Sequence, residues 1–335
     1  MARILIADAG RGFDCADGDT VLRAALRAGL GFPYECNVGA CGNCRFELVE
    51  GSVVHDRADP PAWSARDQTR NRFLGCQARP RSECRIRVRL DPRYRSAHPP
   101  RRRRVRLVET IPVTHDIAEF RFAVGMDAPF RPGQYALFHL EGVEGGRAYS
   151  MCNLPAAGGQ WHFHVKRVAG GAATSRLFDA LAPGNEIEID GPYGMAYLRV
   201  DAPRDILCLA GGSGLSPMIS IARAAASSDR LAGRAIHFLY GGRAPRDICG
   251  EPMLAALPGF GERLHYHAAI SEADGADGWS GRTGLVHDVA RELFGARLGE
   301  FEIYLAGPPA MAQAVHQMLF AAKVPPERIH CDEFY

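Results

Sequence analysis

Lysine is nearly absent from this chain: of its 40 Lys and Arg residues, only Lys166 and Lys323 are lysines. We attribute this bias to genome composition rather than to function. Any run of about 18 apolar residues, as a membrane-spanning helix requires, is also missing, and the N-terminus alternates like a strand instead of a secretory leader. We therefore expect no membrane association and a cytoplasmic location. In that compartment the ten cysteines are expected to be metal ligands or reactive thiols rather than disulfides.

The length of 335 residues predicts two or three domains. A composition of 47% apolar and 23% charged residues excludes disordered, collagen-like and coiled-coil classes. Residues 92–106 contain seven arginines, several prolines and no acidic residue, which indicates an interdomain linker. Binding of nucleic acid is the alternative for such a run. We do not favour it because no aromatic platform or groove-reading motif accompanies the arginines.

The strongest motif is a cysteine cluster. Cys36, Cys41 and Cys44 have the spacing C-x4-C-x2-C, and Cys76 follows after 31 intervening residues. This is the plant-type [2Fe–2S] pattern, in which four thiolates hold two irons. A zinc site and unliganded thiols are the alternatives, but structural zinc sites usually use two short C-x2-4-C pairs. The other six cysteines show no ligand spacing.

The segment Phe32–Cys44 resembles the cluster loop of the fused reductases that serve bacterial aromatic-ring oxygenases. In that family a plant-type ferredoxin domain of β-grasp fold is joined to a ferredoxin–NADP reductase-like module. The resemblance implies a multidomain α+β and α/β chain with an antiparallel β-barrel FAD domain and a parallel-sheet nucleotide-binding domain. We predict the ferredoxin domain at 1–91, the linker at 92–104, the FAD domain at 105–200 and the NAD(P) domain at 201–335.

Within 105–200, short strands separated by Gly/Pro turns predict a small antiparallel barrel. Arg147, Tyr149 and Ser150 form an R-x-Y-S motif. Alone, the motif is equally consistent with a purely structural role, in which the arginine forms a salt bridge and the other residues pack in the barrel. It could also bind a flavin, because it offers a cation for a pyrophosphate, a ring for an isoalloxazine and a hydroxyl near its N5. The resemblance implies that it binds FAD. Further residues assigned to FAD are His164, Lys166, Gly170, Gly171 and Thr174. His162 and His164 have a spacing that can bind a metal, but we do not predict a metal site there because no third ligand is evident.

From Asp205 onward, strands, glycine turns and helices alternate, which predicts an α/β domain with a parallel sheet. Ile206–Ala210 is a buried strand, Gly211–Gly214 is a turn, and a helix runs from Leu215 to about Ala226, so a pyrophosphate would meet a helix N-terminus. By resemblance, the residues assigned to the nicotinamide nucleotide are Gly212, Gly214, Pro217, Tyr240, Gly241, Arg243, Asp247, Gly307, Pro308 and Met311.

Two features bear on the nicotinamide. The family usually has cysteine where this chain has Ala306, so we expect slower or looser hydride transfer rather than none. A carboxylate suits a free ribose diol whereas a 2′-phosphate needs a cation, and the segment Arg243–Asp247 contains both kinds of residue. The resemblance implies NADH rather than NADPH, because the oxygenase reductases mostly prefer NADH and have an acid near Asp247.

The resemblance further implies that the C-terminus covers the flavin, with the terminal aromatic Tyr335 over the ring and the carboxylate of Glu333 near its N5. Together with Ser150 these are the predicted catalytic residues. A disordered tail is the alternative interpretation.

These parts predict an NADH-dependent flavin iron–sulfur oxidoreductase, monomeric in isolation. The resemblance implies that it passes single electrons to a Rieske dioxygenase, directly or through a small Rieske ferredoxin, or to a di-iron monooxygenase. Two alternatives stay open: the same chemistry serving a non-oxygenase acceptor such as a deoxysugar dehydratase, and a non-enzymatic zinc-binding scaffold.

Overall fold

The computed structural model describes residues 1–7, 10–155, 158–272 and 278–334. The chain divides into two compact units. Unit 1 comprises Met1–Arg103, Ala136–Ala148 and Glu188–Met195, and unit 2 comprises Arg104–Tyr135, Tyr149–Ile187 and Ala196–Tyr335. Among the described helices, none combines the length and the apolar composition needed to span a bilayer.

Unit 1 begins with a five-stranded mixed sheet of order β2-β1-β7-β3-β5, and it also contains a separate two-stranded antiparallel sheet of β4 and β6. Its elements are β1 (Ala2–Ile6), β2 (Arg11–Cys15), α1 (Val21–Arg27), β3 (Arg45–Glu50), β4 (Val53–His55), α2 (Ala65–Thr69), β5 (Arg72–Leu74), β6 (Ala78–Pro80) and β7 (Cys84–Arg87). Ile4 and Ile6 alternate with exposed residues along β1, so one face of the sheet is apolar and packs into the core. Helix α1 begins after Thr20, whose hydroxyl accepts a hydrogen bond from Arg23 N.

The middle of the chain forms a six-stranded, nearly closed antiparallel barrel of order β11-β10-β13-β8-β9-β12. Its strands are β8 (Arg101–Pro112), β9 (Ile117–Ala123), β10 (Tyr135–His139), β11 (Arg147–Ser150), β12 (Gln160–Lys166) and β13 (Glu186–Tyr193). Between β12 and β13 lie the short helix α3 (Ala172–Ser175) and a π-helical turn, Arg176–Ala180. Aromatic residues of β9 and β12 fill the interior, with Phe122 and Phe163 fully buried.

The last part of unit 2 is a six-stranded sheet of order β17-β16-β15-β14-β18-β19, and all of its described strand pairs are parallel. Its elements are β14 (Ile206–Gly211), α4 (Leu215–Ala226), β15 (Ile236–Gly242), α5 (Glu251–Ala255), β16 (Leu264–Ile270), β17 (Arg282–Thr283), α6 (Val286–Phe294), β18 (Glu302–Gly307), α7 (Pro309–Ala321) and β19 (Ile329–Glu333). Apolar clusters cover both faces of the sheet, which explains why β14 is apolar along its whole length.

The fold class predicted from the sequence is confirmed, and α4 spans the predicted helix from Leu215 to Ala226. Strand β8 begins at Arg101, inside the segment 92–104 predicted as a linker. The first part of that segment is a 3-10 turn, Pro92–Tyr94. The arginine-rich end therefore continues into a barrel strand, and the domain boundaries stay predictions.

Candidate functional site

The cysteine loop of unit 1 is built from tight backbone turns. Asn37, Gly39 and Gly42 have φ angles of 57°, 85° and 79°, and this left-handed conformation is easiest for glycine. Because the chain reverses at these points, backbone N–H groups face sulfur: Cys41 N donates to Cys36 Sγ at 3.3 Å. Hydrogen bonds of this kind stabilise thiolate ligands.

The four predicted ligands form two pairs. The thiols of Cys36 and Cys41 lie within hydrogen-bonding reach of each other, as do those of Cys44 and Cys76. The Cys41 thiol lowers the pKa of Cys36 to about 6, and the Cys76 thiol lowers the pKa of Cys44. The same hydrogen bonds, together with burial, raise the pKa of Cys41 and of Cys76, so each pair has one thiol with thiolate character. Two neighbouring pairs of cysteines fit a cluster in which each of two irons takes two thiolates.

Arg45 supports the same loop from outside. Its Nη1 donates to Gly42 O at 2.9 Å and its Nε pairs with Asp67 at 3.1 Å. A Cβ added to Gly42 would lie 2.2 Å from the Arg45 guanidinium, so the arginine packs directly on the turn between two of the cysteines.

Strand β11 carries the R-x-Y-S motif. In unit 1, Arg147 is exposed and donates to Glu144 O at 2.8 Å. In unit 2, Ser150 is buried, and its Oγ donates to Asp332 Oδ2 at 2.6 Å. Tyr149 is half-buried on the same strand. The structure therefore gives Ser150 a fixed partner and leaves the Arg147 guanidinium at the surface.

Helix α4 is bonded to the segment that follows this motif. Ser216 Oγ donates to Ser150 O at 2.5 Å, Ser220 Oγ donates to Asn153 O at 2.8 Å, and Arg223 Nη1 donates to Cys152 O at 2.8 Å. The three donors are three or four residues apart and share one face of the helix. They fix the backbone after Ser150 to the helix that follows the first glycine turn.

The histidines of β12 lie at a buried acid. His164 Nε2 is 3.1 Å from Glu119 Oε2, and His162 Nδ1 is 3.4 Å from Glu119 Oε1. Glu119, Cys152 and His164 together form a group of ligand-type atoms that lie within 4.8 Å of one another. Glu119 is also paired with Arg121 at 2.5 Å. Burial alone would raise the pKa of Glu119, but the hydrogen bonds with the two histidines and Arg121 outweigh it and hold this pKa far below its usual range. The network thus satisfies the carboxylate within the protein.

Lys166 and the glycine turn after β12 complete the residues assigned to FAD. Lys166 Nζ pairs with Asp116 at 3.0 Å. Gly170 has a φ of 69°, and Gly171 precedes α3. The Thr174 hydroxyl accepts from Val168 N and so closes this turn. The turn therefore exists as predicted, but the α-helix that it opens is only four residues long.

The predicted nucleotide turns lie side by side at the carboxyl edge of the parallel sheet. Ala210 is in register with both Tyr240 and Ala306, so the turns after β14, β15 and β18 are neighbours. A Cβ on Gly214 would lie 2.0 Å from Ala306 O. Only glycine permits this approach, which brings the start of α4 against the end of β18.

Other residues of this edge pack on the same turns. Tyr240 is buried and its hydroxyl donates to Gly212 O at 3.1 Å. A Cβ added to Gly307 would lie 2.8 Å from Met311 Sδ, so this side chain packs closely on the glycine. Pro217 is buried in the first turn of α4, and Pro308 precedes α7. The structure therefore brings the predicted nicotinamide residues of these three strand ends together.

Comparison with known proteins accounts for the whole chain. Family models for a 2Fe-2S iron-sulfur cluster binding domain, an oxidoreductase FAD-binding domain and an oxidoreductase NAD-binding domain match residues 4–81, 104–197 and 208–317. The ferredoxin–NAD(P)+ reductase CarAd of Metapseudomonas resinovorans is 38% identical, with 96% of each chain covered. The ferredoxin–NAD+ reductase component of the alkene monooxygenase system of Xanthobacter autotrophicus is also 38% identical, over 97% of this chain and 98% of its own.

This chain belongs to the ferredoxin–NAD(P)+ reductase components of oxygenase systems.

A solved structure agrees with the assignment. The ferredoxin reductase in carbazole 1,9a-dioxygenase superposes with a TM-score of 0.90 at 34% identity, covering 100% of this chain and 98% of the other. The predicted enzyme class and the cofactors FAD, [2Fe–2S] and a nicotinamide nucleotide are therefore confirmed. A zinc-binding scaffold without enzymatic function is excluded, because the domain that contains the four cysteines is a 2Fe-2S domain.

The C-terminal strand of this reductase supplies the partner of Ser150. Asp332, not Glu333, contacts Ser150. Successive residues of a strand face opposite sides, and Glu333 lines a surface groove with Pro309, Gln313, His316, Gln317 and Phe320. Tyr335 lies outside the described residues. Asp332 is therefore a partner of Ser150 that sequence reasoning missed, and the role of Glu333 at the flavin stays a prediction.

Asp332 has an unusual proton affinity. Burial raises its pKa to about 6, and the hydrogen bond from Ser150 opposes the rise. Since the folded-state pKa exceeds that of the unfolded chain, ionisation destabilises the fold at neutral pH, by up to about 3 kcal/mol. That loss is recovered as the pH falls through the folded value toward the unfolded one.

We therefore expect Asp332→Asn to raise the thermal unfolding midpoint of the reductase at about pH 7.5, and the gain over wild type to narrow by more than half by about pH 4.5. Glu333→Gln, which removes the adjacent carboxyl, is the control and should follow wild type across this range. A pH-independent difference between Asp332→Asn and wild type would contradict the assignment.

Asp247 of this reductase has a local role as well. Its Oδ2 accepts from Arg243 N at 3.1 Å and from Ala244 N at 2.9 Å. One carboxylate oxygen thus stabilises the turn after β15. This turn is the segment that the sequence analysis assigns to the ribose. Arg243 is exposed on that turn.

Proposed function

We propose that this reductase takes electrons from NADH and passes them singly to a terminal oxygenase, directly or through a small Rieske ferredoxin. The observation that carries the proposal is the pair of cysteine pairs within a chain that also has FAD-binding and NAD-binding domains. A nicotinamide gives two electrons at once as hydride, whereas a [2Fe–2S] cluster accepts one, so the flavin has to divide the pair. The two centres therefore act in sequence.

The relatives support an oxygenase as the acceptor. One is the reductase component of an alkene monooxygenase system, and a structural relative serves carbazole 1,9a-dioxygenase. Since both kinds of oxygenase occur among close relatives, the proposal includes a Rieske dioxygenase and a di-iron monooxygenase as acceptors. No observation favours a deoxysugar dehydratase.

We assign the cofactor contacts as the sequence predicted them. In this proposal Arg147 binds the FAD pyrophosphate, Tyr149 packs on the ring and Ser150 lies at its reactive edge. The hydrogen bonds from Ser150 to Asp332 and from Ser216 to Ser150 O support the last assignment, because they hold that residue in one orientation. The backbone N–H groups at Gly212 and Gly214 would bind the nicotinamide pyrophosphate at the start of α4.

We further propose the domain boundaries, the oligomeric state, the electron donor and the location of this reductase. We place the domains at 1–91, 105–200 and 201–335, joined by residues 92–104, and we propose a monomer. NADH is the proposed donor because the family resemblance favours it and because Asp247, on the turn after β15, offers a carboxylate of the kind that suits a free ribose diol. We also propose a cytoplasmic location, because a reducing compartment keeps the cysteines of the cluster loop available as metal ligands.

An anaerobic absorption experiment tests the proposal. The purified protein should absorb at about 450 nm and at longer wavelength, NADH should bleach both regions, and an added oxygenase should restore them. NADPH should bleach them more slowly. Bleaching without reoxidation by any oxygenase would contradict the proposed acceptor, and faster bleaching by NADPH would contradict the proposed donor.

A further inference from the structure

Helix α1 carries a buried cation. Arg23 is 2% exposed and lies among the buried apolar residues Leu22 and Ala24. Burying a guanidinium costs several kcal/mol unless an opposite charge compensates for the lost hydration. A compensating charge is therefore expected close to this side chain.

The protein supplies no such charge at bonding distance. Arg23 donates from Nε to Asn37 Oδ1 at 3.2 Å, and from Nη2 to Asn37 O at 3.3 Å and Cys76 O at 3.5 Å. All three acceptors are neutral. Within the described part of the chain, no carboxylate oxygen lies within 4.0 Å of Arg23.

Arg27, one helical turn later, shows the contrast. Its guanidinium pairs with Asp19 at 2.8 Å and with Asp190 at 2.7 Å. Asp190 is fully buried, so this arginine is neutralised by carboxylates. The two arginines of this helix thus differ: Arg27 is half-buried and ion-paired, whereas Arg23 is buried and acts on Asp190 only at longer range.

The acceptors of Arg23 place it at the cluster loop. Asn37 follows the first predicted ligand, Cys36, and Cys76 is the last one. The Arg23 guanidinium therefore joins the two chain segments that carry the ligands. A [2Fe–2S] cluster with four thiolates is an anion, and it gains one further negative charge on reduction.

We propose that Arg23 is the counter-charge of the [2Fe–2S] cluster and raises its reduction potential. This inference rests on the proposed electron-transfer function. The buried cation stabilises the reduced cluster more than the oxidised one, because the reduced cluster carries the larger negative charge. Solvent screens the interaction little, since Arg23 is almost fully buried.

The test measures the midpoint potential of the cluster in the purified, fully loaded reductase, by redox titration followed through the electron paramagnetic resonance signal. Arg23→Gln and Arg23→Leu remove the charge, and both should shift the potential to more negative values. Arg23→Lys keeps the charge and should stay close to wild type.

Arg45→Gln is the matched control. Arg45 also donates to a carbonyl of the cluster loop, at Gly42, but its side chain is 38% exposed and is paired with Asp67. Because its charge is already neutralised and solvated, its loss should shift the potential less than the loss of Arg23 does.

Each outcome decides between the alternatives. A wild-type potential in Arg23→Gln or Arg23→Leu, or a shift in Arg23→Lys as large as theirs, would overturn the counter-charge role. If neither neutral variant assembles a cluster, the iron and sulfide content of Arg23→Lys decides. Cluster assembly in Arg23→Lys would support a requirement for the positive charge, and failure of assembly there would overturn the counter-charge role. Absence of iron and sulfide from the wild-type protein would instead contradict the proposed function itself.

Discussion

Cys41→Ser is expected to abolish NADH-dependent reduction of cytochrome c while leaving NADH–ferricyanide activity nearly unchanged. Cys41 is paired with Cys36 in the loop, so its replacement removes one of four thiolates and the cluster is not held. The one-electron route then ends at the flavin, which ferricyanide still oxidises. Steady-state rates with the two acceptors, together with iron content, measure this separation.

The control for this variant is Cys84→Ser. Cys84 is a buried cysteine of unit 1 without ligand spacing, and a serine can keep its hydrogen bond to Ser82 O at 3.3 Å, so both activities should remain. Loss of both activities in Cys41→Ser, or of neither, would contradict the division of work between the flavin and the cluster.

Gly214→Ala is expected to lower kcat/KM for NADH by about 100-fold while FAD and iron contents stay at wild-type levels. The added Cβ would lie 2.0 Å from Ala306 O and 2.5 Å from Ala306 C. These are backbone atoms, so α4 or β18 has to move. Because Gly214 has a φ of −58°, alanine introduces no backbone strain, and the effect comes from the clash alone. Steady-state kinetics at varied NADH concentrations measure it.

Gly233→Ala provides the comparison. A Cβ at Gly233 meets no atom within 4 Å, so its kinetics should match wild type. If Gly214→Ala also kept the wild-type kcat/KM, the close approach of α4 to β18 would have no part in nucleotide binding.

The cysteine spacing is an example of a feature that could be predicted from residues close together in the chain. Three of the four predicted ligands lie within nine residues, so covalent geometry alone keeps Cys36, Cys41 and Cys44 together. The same holds for Ile206–Gly211 followed by α4, where an apolar run, a glycine turn and a helix are consecutive. Such features predicted the iron–sulfur cluster, the parallel sheet and the turn before α4, because each depends on neighbours along the chain. The FAD and nicotinamide assignments came from the family resemblance.

The partners of the site residues were not predictable in this way. Ser150 and Asp332 are 182 residues apart, and one step of strand alternation decides that Asp332 rather than Glu333 makes the contact. Glu119 is 45 residues from His164, so the spacing of the histidines gave no sign of the acid between them. Asp247 was predicted as a ligand for the ribose, yet the structure also uses it to hold its own turn.

The sequence by itself determined the class of this protein, since spacing and periodicity are local consequences of bond geometry and of the helix and strand repeats. Only the tertiary structure decided which charges are compensated. Arg23 and Arg27 are one turn apart on α1 and are chemically identical, and nothing in the sequence separates them. Folding brings Asp19 and Asp190 to Arg27 and leaves Arg23 with neutral carbonyls beside the cluster ligands, because burial and electrostatic partners depend on segments that are distant in the chain.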